Sequence, residues 1–539
     1  MAVDLSSKKV LIIEDQAPMR DAIKQIVGSL GARFIVTEES GSNAIVAMRN
    51  HKFDIVLCDY NLLGEKTGQQ VLEEARYLKL LPLSSIFIMA TGEHRLELVL
   101  SAVDNKPDEY LIKPFSAKQL SSRIEKCQVR KDYLACVENE IDKGNLYQAI
   151  HQCEKLLRQD DKKMHMQLLK MQAELLVKVG DLNKAEQIYL DVKQQREFPW
   201  AKLGLGVVAF HRGDYVRAIK ILDEVIEQHP MMLEAYDLLA KSYELIGDDE
   251  QALSSVNSAV ELSPRSILRQ KKLAVLADKT DNLFIAKKAY MATIKLGKNS
   301  IHKSPTDYSG LANIYLKTDF SDKALQVVRE LNQQFHNDPE AMIRSALLEA
   351  DIYQTKGHME LALQAQEKAF KLNKQFNKQL SRELRMEMVR ECYLSGDTET
   401  SNEMLNDLVT ANIDDKLFIK DLLTMCGDFV GDNHAEILVQ KVKRDLVNIN
   451  NKGVSLFQEG NIRKAIALFE KALTLMPDNH TIILNLVKTL IYEMKTSKPD
   501  QEKVMHAQSY INKAIQLGIP HNKVSVIQTE LDAILSTIN

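Results

Sequence analysis

Residues 53–62 read FDIVLCDYNL. Ile55, Val56, Leu57 and Cys58 form an unbroken apolar run that ends on Asp59. A strand with one wet face alternates apolar and polar residues. A run without a polar member is covered on both faces, as in the middle of a parallel sheet. The charge that closes it therefore needs a reason.

Working outward, KVLII (9–13), RFIVTE (33–38), SIFIMA (85–90) and EYLI (109–112) are further short β-type runs. Amphipathic segments lie between them near 17–30, 42–51, 68–80 and 94–103, and a fifth follows Pro114. Five βα units over residues 1–126 predict one parallel sheet with helices on both faces, a doubly wound α/β fold. In such a sheet ligands sit at the carboxyl ends of the strands, where the strand order reverses.

Those ends carry unusual chemistry. The first strand ends in Glu14-Asp15, the third in Asp59, the fourth in Thr91 and the fifth in Lys113-Pro114-Phe115. Three clustered carboxylates repel one another unless a cation sits among them. Hard oxygen ligands with room for water suit Mg²⁺. A lysine and a hydroxyl opposite can hold phosphoryl oxygens. Asp59 can then serve as both metal ligand and nucleophile, which accounts for the charge at the end of its strand.

The set Glu14, Asp15, Asp59, Thr91 and Lys113 resembles the response-regulator receiver domain, a CheY-like, flavodoxin-like fold of five parallel strands. The resemblance implies that Asp59 accepts phosphate from a histidine kinase or a phosphotransfer protein. It implies that Glu14, Asp15, Asp59 and the backbone carbonyl of Asn61 bind Mg²⁺, that Thr91 and Lys113 contact the phosphate, and that Tyr110 is the aromatic switch partner of Thr91. Two features depart from the family pattern. Leu63 stands where proline is usual, and Gly68 falls nine residues after Asp59 rather than eight, so the loop NLLGEKTG is one residue longer.

The rest of the chain changes character. With 539 residues, several domains or a repeat array are expected. Past residue 128 the β-type runs vanish and a period of 34 appears. Gly213-Asp214-Tyr215, Ala218, Leu222, Val225 and Pro230 are matched by Gly247-Asp248, Ala252, Val256, Ala259 and Pro264. The glycine turns the chain, small residues let two helices cross closely, and the proline ends the second helix. This resembles the tetratricopeptide repeat. Ala149, Ala185, Ala286, Ala324, Ala362, Ser401, Ala465 and Ala507 fall in the same small slot. The reading is a receiver over 1–127 and an all-α solenoid of roughly ten repeats over 128–539. Within it, 411–446 is irregular, either a degenerate repeat or a break, and NKVSVIQTELDAILSTIN forms a capping helix.

Other function classes find little support. Net charge is −4, with 27% charged and 45% hydrophobic residues, so no basic field points to nucleic acid. No apolar run approaches the ~20 residues that span a bilayer, and MAVDLSSKKV has no signal-peptide core. The six cysteines form no C-x-x-C pair, which fits a reduced, cytoplasmic protein. Gly204-Leu205-Gly206 belongs to a repeat helix rather than to a dinucleotide loop. H-E-x-x-H and G-x-S-x-G are absent, and the receiver's own phosphotransfer and self-hydrolysis are the only catalysis expected.

The layout is similar to that of VieB-like response regulators. It implies an adaptor whose receiver is switched by phosphate and whose repeats bind a protein, with another signalling component as the natural partner and a homodimer as a further option. Two rival readings are a phosphate sink that drains a kinase and a structural dimerisation module that is never phosphorylated. Three expectations follow. Asn61 and Glu93 flank the phosphoryl position and, being polar, favour fast self-dephosphorylation. Trp200, Leu203, Val207 and Phe210, spaced by 3, 4 and 3, share one helical face and line a partner groove, unless they are buried against neighbouring helices. From Ser116 to Lys143 there is no glycine or proline, so one helix of about 42 Å can join receiver to repeats.

Overall fold

The computed structural model describes residues 4–62, 66–92, 106–159, 164–196, 198–376, 380–413, 415–427, 434–497, 501–517, 519 and 521–538. The chain divides into two compact units, one of Met1–Val177 with Leu182–Val327, the other of Lys178–Asp181 with Val328–Asn539.

The first unit opens with a parallel sheet of β1 (Lys9–Ile13), β2 (Phe34–Glu38), β3 (Ile55–Asp59), β4 (Ile86–Thr91) and β5 (Glu109–Ile112). The order is β2-β1-β3-β4-β5, so the direction of winding reverses between β1 and β3. Alternate residues of each central strand feed two cores. Leu11, Ile13, Val56, Cys58, Phe87 and Met89 pack under α2 (Gly41–Asn50) and α3 (Gly68–Tyr77). Val10, Ile12, Ile55, Leu57, Ile86 and Ile88 pack under α1 (Ala17–Ser29) and a long helix, Ala117–Asp142. Both faces are dry, and that is why β3 and β4 read as unbroken apolar runs. The segment expected to be helical near 94–103 lies outside the described residues.

Helix Ala117–Asp142 is continuous over 26 residues, about 39 Å. It starts with a capping box made by Ser116 and Gln119. Leu120, Ile124 and Cys127 belong to the receiver core, while Leu134 and Val137 are buried beyond it. A polar clamp holds its second half to the receiver. Arg130 and Lys131 pair with Asp108, Lys131 Nζ also donates to the carbonyl of Leu83, and Asp142 accepts from the Leu83 N–H at 3.0 Å. Glu138 is buried here, 3.9 Å from Lys131, and burial pushes its carboxyl up to about 7.

Helix pairs follow. Gly144, Gly180, Gly213, Gly247, Gly357, Gly396 and Gly460 turn them with positive φ, which a side chain would strain. At two further turns Asp281 and Asp319 take the left-handed backbone (φ 55 and 60), a conformation aspartate tolerates better than most residues. The small slot is buried at each of its ten aligned positions, Ala149 through Ala507. At Ser401 the added hydroxyl donates to the carbonyl of Val389 at 2.8 Å, so nothing polar is stranded. In the second unit the irregular window folds as Lys416–Gly427 and the 25-residue helix His434–Gln458. Phe418, Ile419, Leu422, Ala435, Val439 and Val442 share one core with the preceding helices. The described residues of the window therefore pack into the same core as their neighbours.

Candidate functional site

Register brings the strand ends together. Asp59 closes β3 and Thr91 closes β4, next to each other in the sheet. Lys113 follows β5 directly and is joined to Pro114 by a cis bond, and its backbone N–H donates to the carbonyl of Thr91 at 2.9 Å. Glu14 follows β1 and donates its N–H to Glu38 at 3.0 Å. Arg20, on the first turns of α1, donates to the carbonyls of Glu14 (2.7 Å) and Asp15 (3.2 Å), fixing the bend that turns both carboxylates inward.

The Lys113 ammonium lies 2.5 Å from Glu14 Oε2 and 2.9 Å from Asp59 Oδ2. Oxygens of Glu14, Asp15 and Asp59 all come within 4.8 Å of one another. One ammonium against three carboxylates leaves two negative charges uncompensated. Burial pushes the Glu14 carboxyl above its usual range, and Lys113 offsets this only in part. Burial alone would lower Lys113, but its bonds to Glu14 and Asp59 outweigh that and hold it above the ordinary lysine value. Glu14 Oε1 and both Asp15 carboxylate oxygens are buried and accept no hydrogen bond. Three orphaned acceptors beside Asp59 are what a hard divalent cation would satisfy, so the donor set fits Mg²⁺.

The other residues singled out from sequence divide. Thr91 is buried at the rim. Tyr110 is half-buried, its hydroxyl lacks a partner, and burial raises it to about 12. Asn61 is exposed beside the cluster, whereas Leu63 and Glu93 lie outside the described residues. Trp200, Leu203, Val207 and Phe210 stand apart on helix Pro199–His211, all half-buried. Trp200 meets Tyr189 edge-on at 6.0 Å, and Leu203 and Phe210 pack against the neighbouring core. Leu205, Gly206 and Ala209 are fully covered, as is Gly204, where a methyl group would strike the Tyr189 ring at 2.2 Å.

Sequence reasoning passed over Arg20, which no motif marks. It also treated Gly68 only as an offset glycine. Gly68 opens α3, capped by the reciprocal Thr67–Gln70 box. A capping box spelled Thr-Gly-Gln-Gln at 67–70 was legible and could have flagged it.

A doubly wound domain with an acidic rim, followed by stacked helix pairs, is the build of a modular signalling protein. The chain belongs to the response regulator receiver family, whose domain matches residues 10–125. Tetratricopeptide repeat families match 170–230, 203–267, 343–376 and 449–479. Chemotaxis protein CheY of Pseudomonas aeruginosa is 31% identical over 121 residues, covering 22% of this chain and 94% of that protein. Chemotaxis protein CheY-3 of Vibrio cholerae is 30% identical over 121 residues, covering 22% and 89%. The solved MamA protein covers 34% of this chain and 96% of its own, at 23% identity and a TM-score of 0.30. Receiver and repeats together define a two-component signalling protein with a protein-interaction region. Among the described residues no helix is long and apolar enough to cross a membrane.

Proposed function

We propose that this chain is a phosphorylation-controlled adaptor, acting in the cytoplasm. Its receiver, residues 1–127, takes a phosphoryl group on Asp59 from a histidine kinase or phosphotransfer protein, and its repeats, 128–539, hold a protein partner. The observation that carries this is the Lys113 bridge between Glu14 and Asp59 beside three unsatisfied buried carboxylate oxygens.

In this reading an Asp59 carboxylate oxygen attacks the phosphorus of a phosphohistidine. A phosphorus–oxygen bond forms, the phosphorus–nitrogen bond breaks, and the imidazole leaves and regains its proton from solvent. Lys113 moves its charge from the Asp59 carboxylate to the incoming phosphoryl oxygens, and the Thr91 hydroxyl donates to one of them. Glu14, Asp15, Asp59 and the Asn61 carbonyl would hold Mg²⁺, which supplies positive charge to the transferring group. Water then cleaves the acyl phosphate, and the exposed Asn61 leaves its approach open. Trp200, Leu203, Val207 and Phe210 are the groove positions assigned to the partner.

The test is treatment with acetyl phosphate and Mg²⁺, read by phosphate-affinity gel mobility. A shifted band should form, vanish in Asp59→Asn, and decay within minutes after the donor is removed. A shift that survives Asp59→Asn, or none at all, overturns the assignment. A band lasting hours overturns the open-water argument.

A further inference from the structure

Within the first unit the receiver touches the repeats at a second place besides the long helix. Gln70 Nε2 donates to the carbonyl of Leu296 at 3.0 Å. Arg265 reaches within 3.5 Å of the Tyr60 hydroxyl. The Tyr77 and His302 rings meet edge-on at 6.1 Å, and Lys106 lies 3.4 Å from Glu234. Glu234 stands at the start of helix Leu233–Ile246, Arg265 just before Ile267–Lys279, and Leu296 and His302 around the passage from Leu283–Gly297 to Pro305–Lys317. The four contacts thus fall on three successive junctions between repeats, along one edge.

On the receiver side three of the contacts, at Tyr60, Gln70 and Tyr77, bracket the phosphorylation loop, while Lys106 lies just before β5. Tyr60 follows Asp59, and its backbone N–H is held by the Ala90 carbonyl at 2.9 Å. Gly68 donates its N–H to the Tyr60 carbonyl at 3.0 Å and sits against the Asp59 backbone. The Gln70 side chain has two tasks at once. Its oxygen accepts from the Thr67 N–H at 3.0 Å, closing the cap of α3, while its nitrogen binds Leu296. The loop between these anchors carries Asn61, whose carbonyl is assigned to the metal above.

We propose that this is an intramolecular docking contact, in which the β3–α3 segment of the unphosphorylated receiver covers two inter-repeat junctions and Lys106, just ahead of β5, reaches a third, and that an acyl phosphate on Asp59 loosens it. The proposal rests on the reading of Asp59 as phosphoryl acceptor. Drawing the Asn61 carbonyl and the Asp59 backbone toward a metal and a phosphoryl group pulls on both anchors, Tyr60 and the α3 cap. Three of the four contacts are polar, and one of these, Arg265 to Tyr60, stands at the 3.5 Å limit of hydrogen-bond length, so a small displacement of the loop breaks it. Release uncovers the junctions around Glu234, Arg265 and His302 for a partner.

The test uses the full chain with Cys136→Ser, which removes the exposed cysteine. Tyr77→Cys with His302→Cys, and separately Lys106→Cys with Glu234→Cys, are joined by a short bismaleimide. Peptide mass spectrometry follows the rate, and fluorine NMR on the same samples reports bound beryllofluoride. Both pairs should cross-link in the unmodified protein. Beryllofluoride with Mg²⁺ should slow the reaction roughly fivefold or more, and Asp59→Asn should abolish the slowing. No cross-link in either pair overturns the docking. An unchanged rate with beryllofluoride bound overturns its control by phosphate. Cross-linking without any beryllofluoride binding leaves the contact standing, but sinks the acceptor reading of Asp59 and the control with it.

Discussion

Gly68 and Asp59 are in backbone contact, and the contact leaves no room for a side chain. A methyl group at Gly68 would come within 2.1 Å of the Asp59 carbonyl oxygen and 2.9 Å of Met89 Sδ. Gly68→Ala must therefore displace either α3 or the end of β3. A loss of about 1–3 kcal/mol is expected, the usual scale for overpacking a tight site, together with weaker Mg²⁺ binding. Urea unfolding and a Mg²⁺ titration check both. Wild-type values in each would mean that the close approach is unimportant.

Glu14 gives a pH dependence with a definite sign. Burial holds its folded pKa above the ordinary carboxylate value of 4.5. The folded metal-free receiver thus keeps this proton where the unfolded chain has lost it. Its contribution to stability is complete below pH 4.5 and is lost as pH rises through the raised folded value. Glu14→Gln should flatten that loss and raise metal-free stability near neutrality. It should also weaken Mg²⁺ by roughly tenfold or more, the scale seen when even outer partners of a metal are removed. Thermal melts across pH, with and without Mg²⁺, would show it.

A second carboxylate titrates in the long helix. Glu138 is raised from 4.5 to about 7, burial being the main cause, with Lys131 and Arg130 opposing it and Asp108 and Asp142 adding to it. The stability it lends is full below pH 4.5, declines between there and about 7, and is flat above. The decline amounts to roughly 3 kcal/mol. Glu138→Gln should abolish this part of the decline, so that the melting temperature falls less over that window than in the unmodified chain. A wild-type slope in the variant would count against burial as the cause.

The continuity of Ala117–Asp142 can be tested by breaking it. Inserting Gly-Ser-Gly-Ser after Val129 interrupts the helix ahead of the Arg130 and Lys131 clamp. In the intact chain, beryllofluoride should alter amide exchange in Leu146–Leu157, the second helix of the first pair. The insertion should erase that response while beryllofluoride still binds. A response that persists would make the helix a passive tether.

For the groove, Trp200→Ala separates two roles. Trp200 is half-buried against Tyr189 and Phe198, so part of its surface remains open to a partner. A loss of no more than about 2 kcal/mol is expected, with helical circular dichroism unchanged. Global unfolding would show that the residue serves only the packing of the repeat.

How much could be read from the sequence depended on whether a signal was local. Ile55–Cys58 announced a strand dry on both faces, and the alanines marked where helices cross. The turns at Asp281 and Asp319 were harder, because aspartate there takes a backbone shape for which glycine is the usual marker. In the window 411–446 the positions five residues after Gly427 and Gly431, where the other copies carry their small residue, are Asp432 and Glu436, yet the described apolar residues of the window still reach a common core. Gln70 and Leu296 are 226 residues apart, and nothing in either segment marks the other as its partner. Contacts of that kind are written in tertiary geometry alone.

The long helix also bears on how such a chain can be recombined. A graft that replaces the receiver must splice into a rod that already serves both sides, with Leu120 and Ile124 facing the receiver core and Leu134 and Val137 buried beyond it. One residue gained or lost at the seam turns everything beyond it by about 100° and shifts it by about 1.5 Å. The Arg130 and Lys131 clamp would then face away from Asp108. Receivers are interchangeable here only in phase, and a chimera designer should count residues from Ser116 to Gly144 before comparing sequences.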